Sequence, residues 1–205
     1  MIRPDLARRI RFIRRAVFLG CGVVVAAGAA LAQSGGDAAR GAARAASCLA
    51  CHGAPERDPL PGTPSLAGQP GDFLVLQMVL LREGLREAPQ MDGTLKGYSD
   101  PDLFDVAAYF SGRPPRPGGG KLDPDLRSQG ARLAATMGCG SCHLKNYSGQ
   151  KQVPRLTNQR EDYLVAAMQA YRDNKRVGPD TSMNGILYRV PDSDIRALAH
   201  YLAHQ

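Results

Sequence analysis

The sequence predicts an all-α protein in which one small helical module occurs twice. A self-match supports the duplication. Pro64, Leu66, Gln69, Asp72, Phe73, Leu74, Val75 and Met78 reappear 90 residues later as Pro154, Leu156, Gln159, Asp162, Tyr163, Leu164, Val165 and Met168. Asp100, Asp102, Ala107 and Tyr109 reappear as Asp192, Asp194, Ala199 and Tyr201, with the offset grown to 92 by small loop insertions. Periodicity supports the fold class: apolar residues recur at helical spacing, and no segment alternates as a strand would. A pentapeptide, Cys-x-x-Cys-His, stands at 48–52 and again at 139–143.

In chain order, residues 1–32 read as a signal peptide. Arg3, Arg8, Arg9, Arg11, Arg14 and Arg15 form a basic start, residues 16–32 are small and apolar, and Ala30-Leu31-Ala32 is an A-x-A cleavage site. The mature chain would then begin at Gln33, with a retained N-terminal membrane anchor as the alternative. Cys21 lies in the apolar run without a convincing lipobox and is read as a bystander. Asp37 to Ser47 and Asp125 to Met137 are predicted helices leading into the two pentapeptides. Asp72 to Glu83 and Asp162 to Lys175 are predicted helices with apolar faces. Asp100 to Ser111 and Asp192 to His204 open on acidic first turns and close the two halves. The stretches 53–71, 85–99, 144–158 and 176–190 are rich in Gly, Pro and polar residues and read as loops. Pro and Gly crowd residues 112–120, so the expected organisation is a domain over 33–112, a linker over 113–122 and a second domain over 123–205.

The pentapeptides carry the chemistry. On a helical turn, Cys at i and i+3 share one side, so two sulfurs reach the two vinyl groups of one porphyrin, and the following His lies under the iron. A zinc ribbon would place its two pairs closer together, and a thioredoxin-like dithiol would lie among strands. Two covalently bound haem c groups are therefore expected, attached to Cys48 and Cys51 and to Cys139 and Cys142, with His52 and His143 as proximal ligands. The five cysteines are then accounted for by four thioethers and Cys21, with none left for disulfides. Domains of about eighty residues are small for an apolar core, and a porphyrin supplies the missing volume.

The sixth iron ligand decides between electron transfer and catalysis. Met78 and Met168 are a matched pair, but a Met on an apolar helix face usually packs. Met137, two residues before Cys139, cannot reach the opposite haem face. Met91 and Met183 lie 39 and 40 residues after their histidines, in stretches read as loops that fold across the haem, and are the favoured distal ligands. Iron held by His and Met has no open position, so no residue is read as catalytic. His200 and His204 lie at i, i+4 on the last helix, with Ala108 opposite His200 in the first half, and read as surface or packing residues rather than a metal site. Pro64 and Pro154 follow His52 and His143 by 12 and 11 residues, where a backbone carbonyl could accept the proximal His Nδ1 proton, the alternative being that each Pro only shapes a turn.

Charge excludes one partner class. The formal net charge is +7, of which residues 1–32 hold +5, so the mature chain offers no argument for nucleic acid. Residues 33–112 hold six Lys/Arg against ten Asp/Glu, and residues 113–205 hold fourteen against eight. Such asymmetry orients encounters with a charged partner.

With Gly36-Asp37-Ala38-Ala39, both Cys-x-x-Cys-His motifs, Pro64-Ser65-Leu66-Ala67-Gly68-Gln69, Met91 and Ala107-Ala108-Tyr109, the chain over 36–205 resembles the di-haem cytochrome c4 family. The second half carries Leu156-Thr157-Asn158-Gln159 where the family pattern has Leu-Ala-Gly-Gln. The resemblance implies two tandem class I cytochrome c domains, each wrapped around one haem. It also implies a periplasmic, soluble or loosely membrane-associated carrier of single electrons, running from a quinol-oxidising cytochrome complex to a terminal oxidase. The alternatives are a cytochrome subunit of a periplasmic dehydrogenase acting on sulfur compounds or alcohols, and a di-haem peroxidase, which would need an open iron position.

Overall fold

An aspartate starts the first helix of each half. Asp37 accepts from the backbone N–H groups of Ala39 and Arg40 and opens α1 (Ala38–Arg44). Asp123 accepts from Asp125 and Leu126 and opens α5 (Pro124–Thr136). Each carboxylate satisfies N–H groups that a helix start leaves unpaired. The computed structural model describes residues 35–118, 120–176 and 181–205. The signal peptide read over 1–32, with Cys21, lies outside the described residues. The described residues belong to one compact unit.

The first half continues with α2 (Leu49–His52), α3 (Gly71–Arg82) and α4 (Asp100–Ser111), and the second with α6 (Gly140–His143), α7 (Glu161–Arg172), α8 (Ser182–Leu187) and α9 (Asp192–Ala203). Among the described residues there is no strand, only the isolated bridges Ala54–Arg57 and Gln150–Val153. In each half the first helix packs against the last, and the middle helix packs against the last as well. Gly41 on α1 and Gly130 on α5 make the close crossings. A Cβ there would lie 1.9 Å from the Asp105 carbonyl oxygen and 2.1 Å from that of Ala197. Only a residue without Cβ allows that approach.

Two cores result. In the first half Ala45, Leu74, Val106, Ala107 and Phe110 are buried together, with Cys48 packed against them. In the second, Tyr147, Leu164, Met168, Ile195, Leu198 and Leu202 are among the buried residues, with Cys139 and Met183 packed against them. The apolar stripes of the predicted helices supply these cores.

Two expectations change. The stretch 176–190, read as a loop, contains α8, so Met183 lies in a helix and not in a loop. Tertiary contacts hold that short helix: Leu187 is buried, and Asn184 Nδ2 donates to the carbonyls of Tyr171 and Arg176 at 2.8 and 3.0 Å. The stretch 85–99 contains one 3₁₀ turn, Pro89–Met91, which ends on Met91. The departure at 156–159 leaves the backbone course intact, because Asn158 takes φ 55° where Gly68 takes 67°. Asn is among the few residues that tolerate the left-handed region.

The residues of the predicted linker run against the rest of the chain. Arg116 Nε donates to Asp58 at 2.9 Å, and Gly118 passes so close that a Cβ would lie 2.2 Å from the Gln159 carbonyl oxygen. Across the halves, Arg155 donates to the carbonyls of Gly68 and Ala67 at 3.2 and 2.7 Å. Burial pushes its guanidinium down to about 10.

Candidate haem-binding sites

Each pentapeptide folds as one short helical turn. Cys48 caps α2, and the N–H groups of Cys51 and His52 both donate to its carbonyl. Cys139 caps α6, and His143 N–H donates to its carbonyl at 3.1 Å. The first sulfur of each pair is half-buried against its core and the second is exposed. Burial pushes the Cys48 and Cys139 thiols up, as suits sulfurs facing an apolar partner. All four are free of disulfides.

The two histidines are held alike. His52 Nδ1 donates to the Pro64 carbonyl at 2.9 Å, and His143 Nδ1 donates to the Pro154 carbonyl at 2.8 Å. A carbonyl can only accept, so the proton sits on Nδ1 and the Nε2 lone pair is left for a metal. Burial pushes both imidazoles down, with the carbonyl bonds opposing it and the Arg86 charge adding to it at His52. Both therefore stay neutral, the form that ligates.

The methionines differ in setting. Met168 is buried in the second core and Met78 is packed against the first, as side chains that fill a core do. Met183 is half-buried on α8 and packs with Cys139 around the second core. Met91 is half-buried at the end of its 3₁₀ turn. Met137 closes α5 beside Cys139.

His200, His204 and Glu161 bring their ligand atoms within 4.8 Å of one another. Every ring nitrogen is already engaged. Asp123 N–H donates to His200 Nε2 at 2.9 Å, and His200 Nδ1 donates to Glu161 at 3.0 Å. His204 bonds the carbonyls of His200 and Gly120. These bonds tie α9 to the first residue of α7 and to the start of α5.

One further cluster lies between the halves. Arg86 donates to Gln77 at 2.6 Å, and Arg176 donates to the Tyr163 hydroxyl at 3.0 Å and to Gln77 at 3.3 Å while lying 4.8 Å over the Tyr171 ring. Burial, then the like charge of Arg176, push the Arg86 guanidinium down. Burial pushes the Tyr163 phenol up, but Arg176 and Arg86 overcome it and hold the phenol below its ordinary value. Among the described residues no carboxylate answers either guanidinium, and the buried Nε of Arg86 has no partner. Two desolvated like charges facing one another are costly unless an anion joins them.

Comparison with known proteins shows the family. The family profile described as Cytochrome c matches residues 128–205. Cytochrome c4 of Pseudomonas aeruginosa is 36% identical over 183 residues, spanning 84% of this chain and 90% of that protein. The chain belongs to the cytochrome c4 family. The crystal structure of reduced recombinant cytochrome c4 from Pseudomonas stutzeri matches with TM-score 0.74 and 33% identity, covering 82% of this chain and 98% of that one. A protein described as the thiosulfate dehydrogenase electron acceptor of Thiomonas intermedia is 33% identical over 177 residues, 78% of this chain and 79% of its own.

A cytochrome c4 is a c-type electron carrier, and the two Cys-x-x-Cys-His motifs fit two covalent haem c groups. The donor set fits the cofactor: paired thiols free of disulfides, an imidazole with Nε2 available, and a half-buried arginine pair, answered by no carboxylate among the described residues, that suits propionates. Arg86 and Arg176 went unremarked in the sequence reading, although they occupy equivalent positions 90 residues apart. Extending the self-match past Met78 and Met168 would have found them.

Proposed function

We propose that this cytochrome carries single electrons in the periplasm between a quinol-oxidising cytochrome complex and a terminal oxidase. In that role Cys48, Cys51, Cys139 and Cys142 hold two haems as thioethers. His52 with Met91, and His143 with Met183, would ligate the two irons. Haem bound at these sites supplies a one-electron couple, which thioether ligation raises in potential. The chain's own residues do the rest. Pro64 and Pro154 fix each imidazole through Nδ1, and Arg86 and Arg176 receive the propionates where the halves meet.

The observation that carries this proposal is the committed Nδ1 proton of each histidine, which presents Nε2 directly after each thiol pair. With Met91 and Met183 as ligands neither iron would keep an open position, which suits outer-sphere transfer and opposes peroxide chemistry, and no catalytic role is assigned. The likeness to the Thiomonas intermedia protein favours one second function, electron acceptance from a sulfur-compound dehydrogenase.

A spectroelectrochemical titration of the purified holoprotein tests the assignment. Two one-electron waves and a sulfur-to-iron charge-transfer band from each haem are expected. Met91→Ala and Met183→Ala should each remove one such band, and carbon monoxide should bind only the altered haem. Loss of the band in Met78→Ala or Met168→Ala instead would overturn the ligand assignment. Co-purification with a catalytic subunit would favour the dehydrogenase over the free carrier.

A further inference from the structure

Gln69 and Gln159 are equivalent positions of the two halves, and both are buried, at 3% and 2% exposure. Neither bonds its own half's histidine peptide. Gln159 Oε1 accepts from Ser65 N–H at 2.7 Å, and its Nε2 donates to the Ser65 carbonyl at 2.9 Å. Gln69 Oε1 accepts from Arg155 N–H at 3.0 Å, and its Nε2 donates to the Arg155 carbonyl at 2.9 Å. The four bonds are reciprocal, because Ser65 and Arg155 are themselves equivalent.

Ser65 N–H belongs to the peptide group whose carbonyl, on Pro64, receives the His52 proton. Arg155 N–H belongs to the peptide whose carbonyl, on Pro154, receives the His143 proton. A peptide is one conjugated unit. A donor bond made at its N–H enriches its carbonyl oxygen, which then pulls harder on the imidazole proton. Pulling on Nδ1–H makes Nε2 the stronger donor to a metal. Each chain of bonds begins in one half and ends at the histidine of the other.

We infer that Gln69 and Gln159 are crossed positioning residues: Gln159 of the second half sets the basicity of His52, and Gln69 of the first half sets that of His143. This rests on the assignment of both histidines as iron ligands. A stronger imidazole donor favours ferric iron, so each glutamine lowers the potential of the opposite haem. The interface thereby does more than hold the halves together. Its integrity is registered at both irons.

The test uses holoprotein carrying Gln159→Met or Gln69→Met, which keep side-chain length and lose the amide's hydrogen bonds, for Gln159 including the one its Oε1 accepts from Arg160 N–H at 2.9 Å. Potentials are followed haem by haem through assigned NMR signals, together with the Nδ1–H resonance of each histidine. Gln159→Met should raise the potential of the haem on His52 by roughly fivefold in its ferric-to-ferrous equilibrium, about 40 mV at 59 mV per tenfold, and move the His52 Nδ1–H signal alone. Gln69→Met should do the same to the haem on His143. If a Met variant fails to mature, Gln→Asn, one methylene too short to reach, gives the same direction. A shift of the variant's own haem, an equal shift of both, or no shift would overturn the inference. Failure of the ligand assignment shows separately, as a wild-type protein lacking two low-spin haem spectra.

Discussion

The two halves join their first and last helices with different chemistry, at points one turn apart on the last helix, since Asp105 matches Ala197 and His200 matches Ala108. In the first half, Asp105 on α4 is 3% exposed and accepts from Asp37 N–H at 2.6 Å, while Arg40 forks onto it at 2.7 and 2.9 Å. In the second, the matching N–H, on Asp123, donates to His200 on α9, which passes its other nitrogen to Glu161. One half closes its lock with a charge and its partner, the other with an imidazole relay. Elsewhere the copies keep the same devices. Arg82 pairs with Glu83 and Asp100 and donates to the Tyr98 carbonyl, and Arg172 pairs with Asp173 and Asp192 and donates to the Val190 carbonyl. Left-handed turns follow the middle helices at Gly84 and Asn174. The helix crossing is thus a constraint that duplication preserved, while the residue tying it was free to change.

The largest break in that equivalence should come at the crossing itself. Gly41→Ala and Gly130→Ala each drive a Cβ into a backbone carbonyl that cannot swing away, at a cost of about 3 kcal/mol or more. Each variant should lose thermal stability and attached haem, read as a lowered haem-to-protein ratio. If both glycines tolerate Ala, the crossings are looser than the geometry shows.

The interface cations sharpen the comparison next. One guanidinium comes from each half and the two share Gln77, so Arg86→Gln and Arg176→Gln should each lower both haem potentials, by up to about 59 mV. Removing positive charge favours ferric iron. Single-haem shifts would assign each arginine to its own half and remove the shared character. The glutamine variants, by contrast, should move one haem each and in the opposite direction.

A last pair of variants separates the two locks. Arg40, then the Asp37 N–H, hold the Asp105 carboxyl below the ordinary carboxylate range, against burial. A depressed folded value contributes stability above the unfolded value, about 3.9, and loses it as pH falls through the folded one. Asp105→Asn should therefore lower the denaturation midpoint near neutral pH and flatten its dependence below about pH 4. His200→Ala should cost about 1–3 kcal/mol by stranding the Asp123 N–H. An unaltered acid profile in Asp105→Asn would place the acid sensitivity elsewhere.

Much of this was legible without coordinates. The duplication, the six longer helices and the two haem motifs follow from residue type and spacing, which act over one or two turns. Asp100 to Ser111 matches α4 residue for residue, and the capping aspartates Asp37 and Asp123 stand at or beside the predicted helix starts. The short helix α8 was not legible, because Asn184 and Leu187 hold it through contacts made at a distance rather than through local propensity.

The sequence by itself determined the module, its repetition and the cofactor chemistry, since spacing on a helical turn puts two sulfurs and an imidazole on one side. It could mark Gln69, Gln159, Arg86 and Arg176 as equivalent pairs, but equivalence does not say which half a side chain serves. Only the tertiary structure decided that the glutamines cross over and that the arginines meet. Hydrogen-bond partners 86 to 94 residues away are chosen by how the halves dock, and no local pattern records that choice.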